Sequence, residues 1–219
     1  MKKLLTLLII FLSLSFSFSQ ENFKSYEDYL PSSKCGEVIH YKYYSVSYCD
    51  ENKLSEWSIH SPSVTMRGTE NRRGYGFTSD DEGRGASQDN WRNNPYDKGH
   101  LVPAANMRIN KTAMREVFFM TNVSPQDMML NRVGWKKLEN DLRVKTAEWT
   151  EDKGNLTIIS GHFGKIGEMG EDKIPIPEYF YKIAFDITKN RAIAFLLPNK
   201  RTDKKLESFA VSISYLEKL

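Results

Sequence analysis

From Gln126 to about Thr150 the sequence holds its best amphipathic segment. Met129, Val133, Leu138, Leu142 and Trp149 spread along one side, and charged residues fill the rest. That spacing predicts a helix, with Gly154 as its stop. Strand-like sequence lies on both sides of it. Val38 to Tyr48 is rich in Tyr, Val and Ile in rough alternation, and Trp57 to His60 reads as its partner across Asp50-Glu51-Asn52-Lys53. Lys111 to Phe119 looks helical, with Ala113, Met114, Val117 and Phe118 as its apolar stripe. Phe118 to Val123 reads as a buried strand ended by Pro125. Downstream, Leu156 to Ser160, Tyr179 to Ile187 and Ala192 to Leu197 are apolar or alternating runs between Gly, Pro and Asn clusters. Phe209 to Ser214 reads as a strand or the entry to a final helix. Strands before and after a central helix, in 219 residues without an internal repeat, imply a single α+β domain.

The N-terminus is expected to stand apart from that domain. Met1-Lys2-Lys3 is followed by an apolar run from Leu4 to Phe18 and by small residues at Ser17 and Ser19. This pattern predicts a signal peptide over residues 1–19 and a secreted or periplasmic protein; the competing reading is a membrane anchor, for which the run is short. Residues 20–56 then read as an N-terminal arm and strand, and 57–219 as the main domain. Export suits a disulfide between Cys35 and Cys49, the only cysteines in the chain. The formal charge of +3 falls to +1 without Lys2 and Lys3. Any affinity for nucleic acid must therefore come from a local basic surface, not from net charge.

Two stretches carry chemistry. In Asp97-Lys98-Gly99-His100, the histidine is a candidate general base, because a neutral imidazole can take a proton from water. Gly99 permits close approach, Lys98 brings a positive charge for phosphate, and Asp97 can orient the loop through hydrogen bonds. On the predicted helix, Asn131, Trp135, Glu139 and Arg143 stand four residues apart and share a ridge. Asn131 offers a neutral oxygen to a hard cation that keeps most of its waters, as Mg²⁺ does. Glu139 can accept hydrogen bonds from such waters, Arg143 can reach phosphate, and Trp135 reads as core. Upstream, residues 64–92 are dense in Gly, Arg, Asp and Ser and form a loop long enough to suggest function. Its Arg72 and Arg73 are the candidate phosphate contacts. His40 and His60 read as ordinary strand residues, and His162 as a turn or rim residue.

The order Asp-x-Gly-His, then Asn122-Val123-Ser124-Pro125-Gln126, then Leu130-Asn131, Trp135 and Leu138-Glu139, resembles the DNA/RNA non-specific endonucleases, the ββα-metal nucleases similar to endonuclease G. Arg72-Arg73 followed by Phe77 and Asp80-Asp81, and the closing Leu197-Pro198-Asn199 and Phe209 to Ile213, extend the resemblance over residues 57–215. It implies a central antiparallel sheet carrying a ββα-metal motif, and hydrolysis of DNA and RNA with little sequence preference to 5′-phosphate products. It implies His100 as general base and Asn131 as the single direct protein ligand of Mg²⁺, with Mn²⁺ or Ca²⁺ as other ions for an oxygen-rich site. Glu139 would hold metal-bound water, and Arg73 would contact the scissile phosphate, with Arg72 competing for that role. Asn122 would tie its strand to the active-site loop, and Gln126 would support the site. The chain departs from the pattern at Lys98, where many members have arginine; lysine keeps the charge and loses the bidentate fork. The alternative reading is a catalytically weak nucleic-acid-binding module on the same fold.

Overall fold

The computed structural model describes Tyr26 and residues 29–151, 156–186 and 188–219; the expected signal peptide lies outside the described residues. The chain begins with three consecutive antiparallel strands, β1 (Glu37–His40), β2 (Tyr44–Cys49) and β3 (Leu54–His60). The expected single strand over Val38 to Tyr48 is thus a hairpin. Tyr41 N–H donates to the Tyr44 carbonyl at 2.9 Å, closing a turn that has neither Gly nor Pro to announce it. The Cys35–Cys49 disulfide ties the start of this hairpin to its second strand, Cα to Cα 5.4 Å.

After β3 come a single turn, α1 (Pro62–Thr65), and the long irregular segment that the sequence suggested. Next are β4 (Tyr96–His100) and α2 (Lys111–Glu116), whose first turn is capped by Asn110 Oδ1 accepting from Ala113 N–H at 3.0 Å. A 3₁₀ turn over Met120–Asn122 leads into β5 (Val123–Asp127). The strand therefore starts where the sequence placed its end. Pro125 sits inside it, tolerated because β5 pairs only with β4 and keeps one free edge.

Asp127 closes β5 and opens the long helix. Its Oδ1 accepts from the N–H groups of Met129 and Leu130 at 2.9 and 3.0 Å. The helix begins as a π-turn, Leu130–Trp135, and continues as α3 (Lys136–Glu151). The extra residue in that turn changes which side chains face the core. Leu130 and Trp135, five apart, are buried with Leu138 and Leu142, whereas Met129 and Val133 are exposed. A reading at the ordinary helical period selects the wrong pair.

The last third supplies β6 (Thr157–Phe163), the hairpin β7 (Gly167–Met169) and β8 (Ile174–Ile176), then β9 (Tyr179–Asp186), β10 (Arg191–Pro198), β11 (Ala210–Val211) and α4 (Ile213–Leu216). The β7–β8 hairpin has no counterpart in the sequence reading. The segment after Phe209 is both a strand and a helix entry. Seven strands form one antiparallel sheet in the order β1-β2-β3-β6-β9-β10-β11, so the fold is α+β with a large antiparallel sheet. The helix packs on that sheet through Trp135, Leu138 and Leu142 against Ile158, Phe180, Ala184 and Leu197. A second cluster joins Tyr44, Val46, Val102, Met114, Phe118 and Phe119. The β4–β5 ribbon stands apart from the sheet. Among the described residues no helix is long and apolar enough to cross a membrane.

The Asp127 cap makes the first prediction. Asp127→Ala leaves two N–H groups without their acceptor and should lower stability by about 1 kcal/mol. Urea unfolding should show a lower midpoint at unchanged slope.

Candidate active site

The β4–β5 ribbon pairs Asp97 with Gln126, Gly99 with Ser124, and His100 with Val123. Opposed residues of an antiparallel pair project to the same face. Asp97, Gly99, Ser124 and Gln126 therefore share one face, and Lys98 and His100 the other. Gly99 is required by close approach: a Cβ there would stand 2.6 Å from the Cβ of Gln126. Gln126 is fully buried against this glycine and makes no side-chain hydrogen bond among the described residues.

On the other face the His100 ring lies between two aromatic rings. The centroid of Phe77 is 5.0 Å away, and Phe118 meets it edge-on at 5.1 Å. His100 Nε2 is buried with no partner among the described residues, while the residue as a whole keeps partial exposure. Burial, followed by the Arg72 charge, lowers the imidazole pKa from its ordinary 6.5 to about 3. The ring is therefore neutral across the physiological range, the form a general base needs.

Two cations flank it by way of the same aromatics. Arg72 Cζ lies 5.6 Å from the Phe118 centroid. Lys98 Nζ lies 5.6 Å from Phe77 and 5.9 Å from Trp91. Arg73 is also exposed, but its backbone N–H turns to Asn71 Oδ1 at 3.0 Å. Of the two loop arginines it is Arg72 whose charge reaches His100.

Asp97 joins this strand to the helix. Its Oδ2 accepts from Asn131 Nδ2 at 2.9 Å and from Arg132 Nε at 2.8 Å, and its Oδ1 accepts from Arg132 Nη2 at 2.7 Å. Sequence reading expected Asp97 to orient its own loop; its side chain instead spans to the π-turn. The amide nitrogen of Asn131 is fixed on Asp97, and among the described residues nothing donates to its Oδ1. A neutral oxygen held in this way fits one direct contact to a hard cation with most of its waters retained. Among the described residues no group of three or more His, Cys, Asp or Glu could hold a metal.

Further along the helix, Trp135 Nε1 donates to the His100 carbonyl at 3.3 Å. One turn later comes Glu139. Burial raises its carboxyl pKa, against the opposing charges of Lys182 and Arg143. Arg143 is half-buried and engaged within the protein, with Nη1 on Asn106 Oδ1 at 3.3 Å and Nη2 on Asn140 Oδ1. Asn106 in turn meets Nε2 of the buried His60 at 3.0 Å. Asn122 is wholly internal. Its Oδ1 accepts from Val102 N–H, and its Nδ2 donates to the carbonyls of Val102 and Val117, all at 2.9 Å. It thereby fixes the chain just beyond His100.

Sequence reading passed over Arg132, Asn106 and Lys182. Only Lys182 carried a signal, as a lysine in phase with the inward-facing Phe180 and Ala184. His162, read as a turn or rim residue, is a strand residue of β6 opposite Phe180.

A family model described as DNA/RNA non-specific endonuclease matches residues 21–219. The mitochondrial nuclease EXOG of Mus musculus is 27% identical over 207 residues, covering 84% of this chain and 55% of its own. The mitochondrial endonuclease G of Homo sapiens is 28% identical over 173 residues, covering 70% of this chain and 57% of its own. The chain thus spans little more than half the length of these relatives. A crystal structure of an EndoG/EndoGI complex shares the fold with a TM-score of 0.75 at 21% identity, covering 86% of this chain and 84% of that one. These relatives correct one expectation. The apolar N-terminal run reads as an export signal to a secreted or periplasmic destination, whereas the named relatives are mitochondrial. Hydropathy of a short leading run does not fix a compartment.

Three histidines make stability sensitive to acid. Burial lowers the pKa values of His60 and His100 to about 3 and of His162 to about 4. Above pH 6.5 all three are neutral in the folded and unfolded chain alike, and no penalty arises. As pH falls below 6.5 the unfolded chain takes up protons first, so stability drops until the folded values are reached. Each group contributes up to about 1.4 kcal/mol per pH unit in that window. Denaturant unfolding at pH 7.0, 6.0 and 5.0 should show the loss, and His60→Gln should flatten the slope.

Proposed function

The chain belongs to the DNA/RNA non-specific endonuclease family, and from that premise we propose that it is a metal-dependent nuclease that hydrolyses phosphodiester bonds in DNA and RNA with little sequence preference. The observation that carries the reading is the Asp97 clamp. One short strand bears His100 and, three residues earlier, the carboxylate that holds the amide of Asn131 at 2.9 Å. A base and a lone neutral oxygen donor are thereby built on a shared rigid joint, which suits a reaction that depends on their relative placement.

His100 takes the proton from the attacking water. The water oxygen bonds to phosphorus, the bond from phosphorus to the 3′ oxygen breaks, that oxygen takes a proton from solvent water, and the products are a 5′-phosphate and a 3′-hydroxyl. Arg72 and Lys98, held on the aromatic rings beside His100, draw the phosphate in and offset its charge. The geometry favours Arg72 over Arg73 for this contact. Asn131 would hold the ion, Mg²⁺ in this proposal, and Glu139 would order the water around it. When bound, the ion would stabilise charge on the phosphoryl and leaving oxygens. Contacts of this kind address the phosphate and not the base, which is why little sequence preference is expected.

The test uses the wild-type protein, His100→Ala and Asn131→Ala with supercoiled plasmid and with RNA, in Mg²⁺ or EDTA. The wild type should cut both, EDTA should stop it, and each substitution should reduce cleavage by about 100-fold or more. If pure wild type leaves both substrates intact in Mg²⁺, Mn²⁺ and Ca²⁺, the enzyme reading is abandoned for that of a binding module. If His100→Ala cuts as well as wild type, the base has been misassigned.

A further inference from the structure

Burial alternates along β9, with Phe180, Lys182, Ala184 and Asp186 turned inward. A strand gives such a row to apolar side chains. Asp186 lies at the strand end, where Arg191 meets it at 3.2 Å. Lys182 has no such excuse. It sits mid-strand, 1% exposed, under the same helix that carries Asn131 and Glu139. A methionine would fill a similar volume without the desolvation penalty, and buried charges add little net stability even when paired.

Two of the three contacts of this ammonium lead to the His100 segment, and the third anchors it to β6. Nζ donates to Ser160 Oγ at 2.5 Å and to the Leu101 carbonyl at 3.4 Å. It lies 4.3 Å from the centroid of the Trp135 ring. Leu101 directly follows His100, and Trp135 itself donates to the His100 carbonyl. The charged groups that reach Lys182 are Glu139, which attracts it, and Arg143, which repels it.

We propose that Lys182 is a positioning residue of the nuclease site, an internal cation that pins the chain after His100 and serves as counter-charge to the half-buried Glu139 carboxylate. The proposal rests on the nuclease reading above. In it the ammonium touches neither substrate nor ion. It acts by holding two halves of the site, the ribbon and the helix, against one charged post. Burial lowers the lysine pKa to about 8 and outweighs the Glu139 charge, which acts to raise it.

A double-mutant cycle tests this with wild type, Lys182→Met, Glu139→Gln and the double variant, read two ways. Without added metal, Lys182→Met should lower Tm and Glu139→Gln should restore part of that loss, because it removes the charge left alone. In plasmid cleavage, Lys182→Met should lower kcat by about tenfold with KM little changed, and the loss should shrink to within about twofold once Glu139 is Gln. Simple addition in both cycles makes Lys182 a packing residue and overturns the proposal. Lys182→Gln keeps a donor for Ser160 without the charge and should behave like Lys182→Met; wild-type kcat in that variant would also overturn it. If the wild type cuts nothing in any divalent ion, the nuclease reading fails and the positioning role fails with it. The Tm cycle, which needs no turnover, separates that failure from a failure of the Lys182–Glu139 pairing.

Discussion

The Asp97 carboxylate is the joint on which the site's geometry turns. Its bond to Asn131 is part-buried, and its pair with Arg132 is bidentate though exposed on the arginine side, a geometry stronger than a single-contact surface pair. An amide can present either its oxygen or its nitrogen to a cavity. Binding the nitrogen to an acceptor that cannot itself donate fixes the choice. Arg132 engages both oxygens of Asp97, Nε on Oδ2 and Nη2 on Oδ1. Arg132 therefore matters to an ion it need never touch, through the orientation of its neighbour in sequence.

Around this joint the chain is irregular, and irregular backbone inside a protein needs partners for its polar groups. Three asparagines meet that need. Asn122 satisfies the backbone of Val102 from both sides. Asn199 bridges the carbonyls of Pro125 and Pro177 and accepts from Asp127 N–H at 2.7 Å, so β5 is secured at the residue where the helix cap begins. Asn106 couples His60 of the main sheet to Arg143 of α3. In each case one side-chain amide does what a ladder of strand bonds would do in regular structure. The ribbon can then stand outside the sheet and still keep its register.

Local signals were legible in the sequence, and signals that depend on packing were not. The stretches around His100 and Asn131 could be read because short segments carry their chemistry and their turns. The main strands of the last third followed from apolar or alternating runs: β9 buries alternate residues, and β6 is buried on both faces over most of its length. The π-turn defeated only the first turn of the helical reading: Met129 and Val133 are exposed and Leu130 is buried, while Trp135, Leu138 and Leu142 are core as read. Arg72 and Arg73 could not be ordered, because a loop without periodicity does not say which of two neighbours points inward. Lys182 was hidden for a different cause. Alternation labels a position inward without saying what charge waits there, and Glu139 is more than forty residues away in sequence.

Under the proposed nuclease function, charge placement explains how a chain with so small a net charge would address a polyanion. The cations nearest the site are not free surface charges. Arg72 and Lys98 rest on aromatic faces, Arg143 is tied to Asn106 and Asn140, and Lys182 is internal. Lys182 is buried and Arg143 half-buried, where a charge acts further than it would in water, whereas Arg72 stays exposed. Fixing them also avoids the entropy of ordering long side chains when substrate arrives. The carboxylates are distributed to match: Asp97 is committed to Arg132, and Glu139 is balanced by Lys182 and Arg143. What remains uncompensated on the His100 side is positive. A local field of that kind requires only that a few cations be held where the acids opposite them are already engaged.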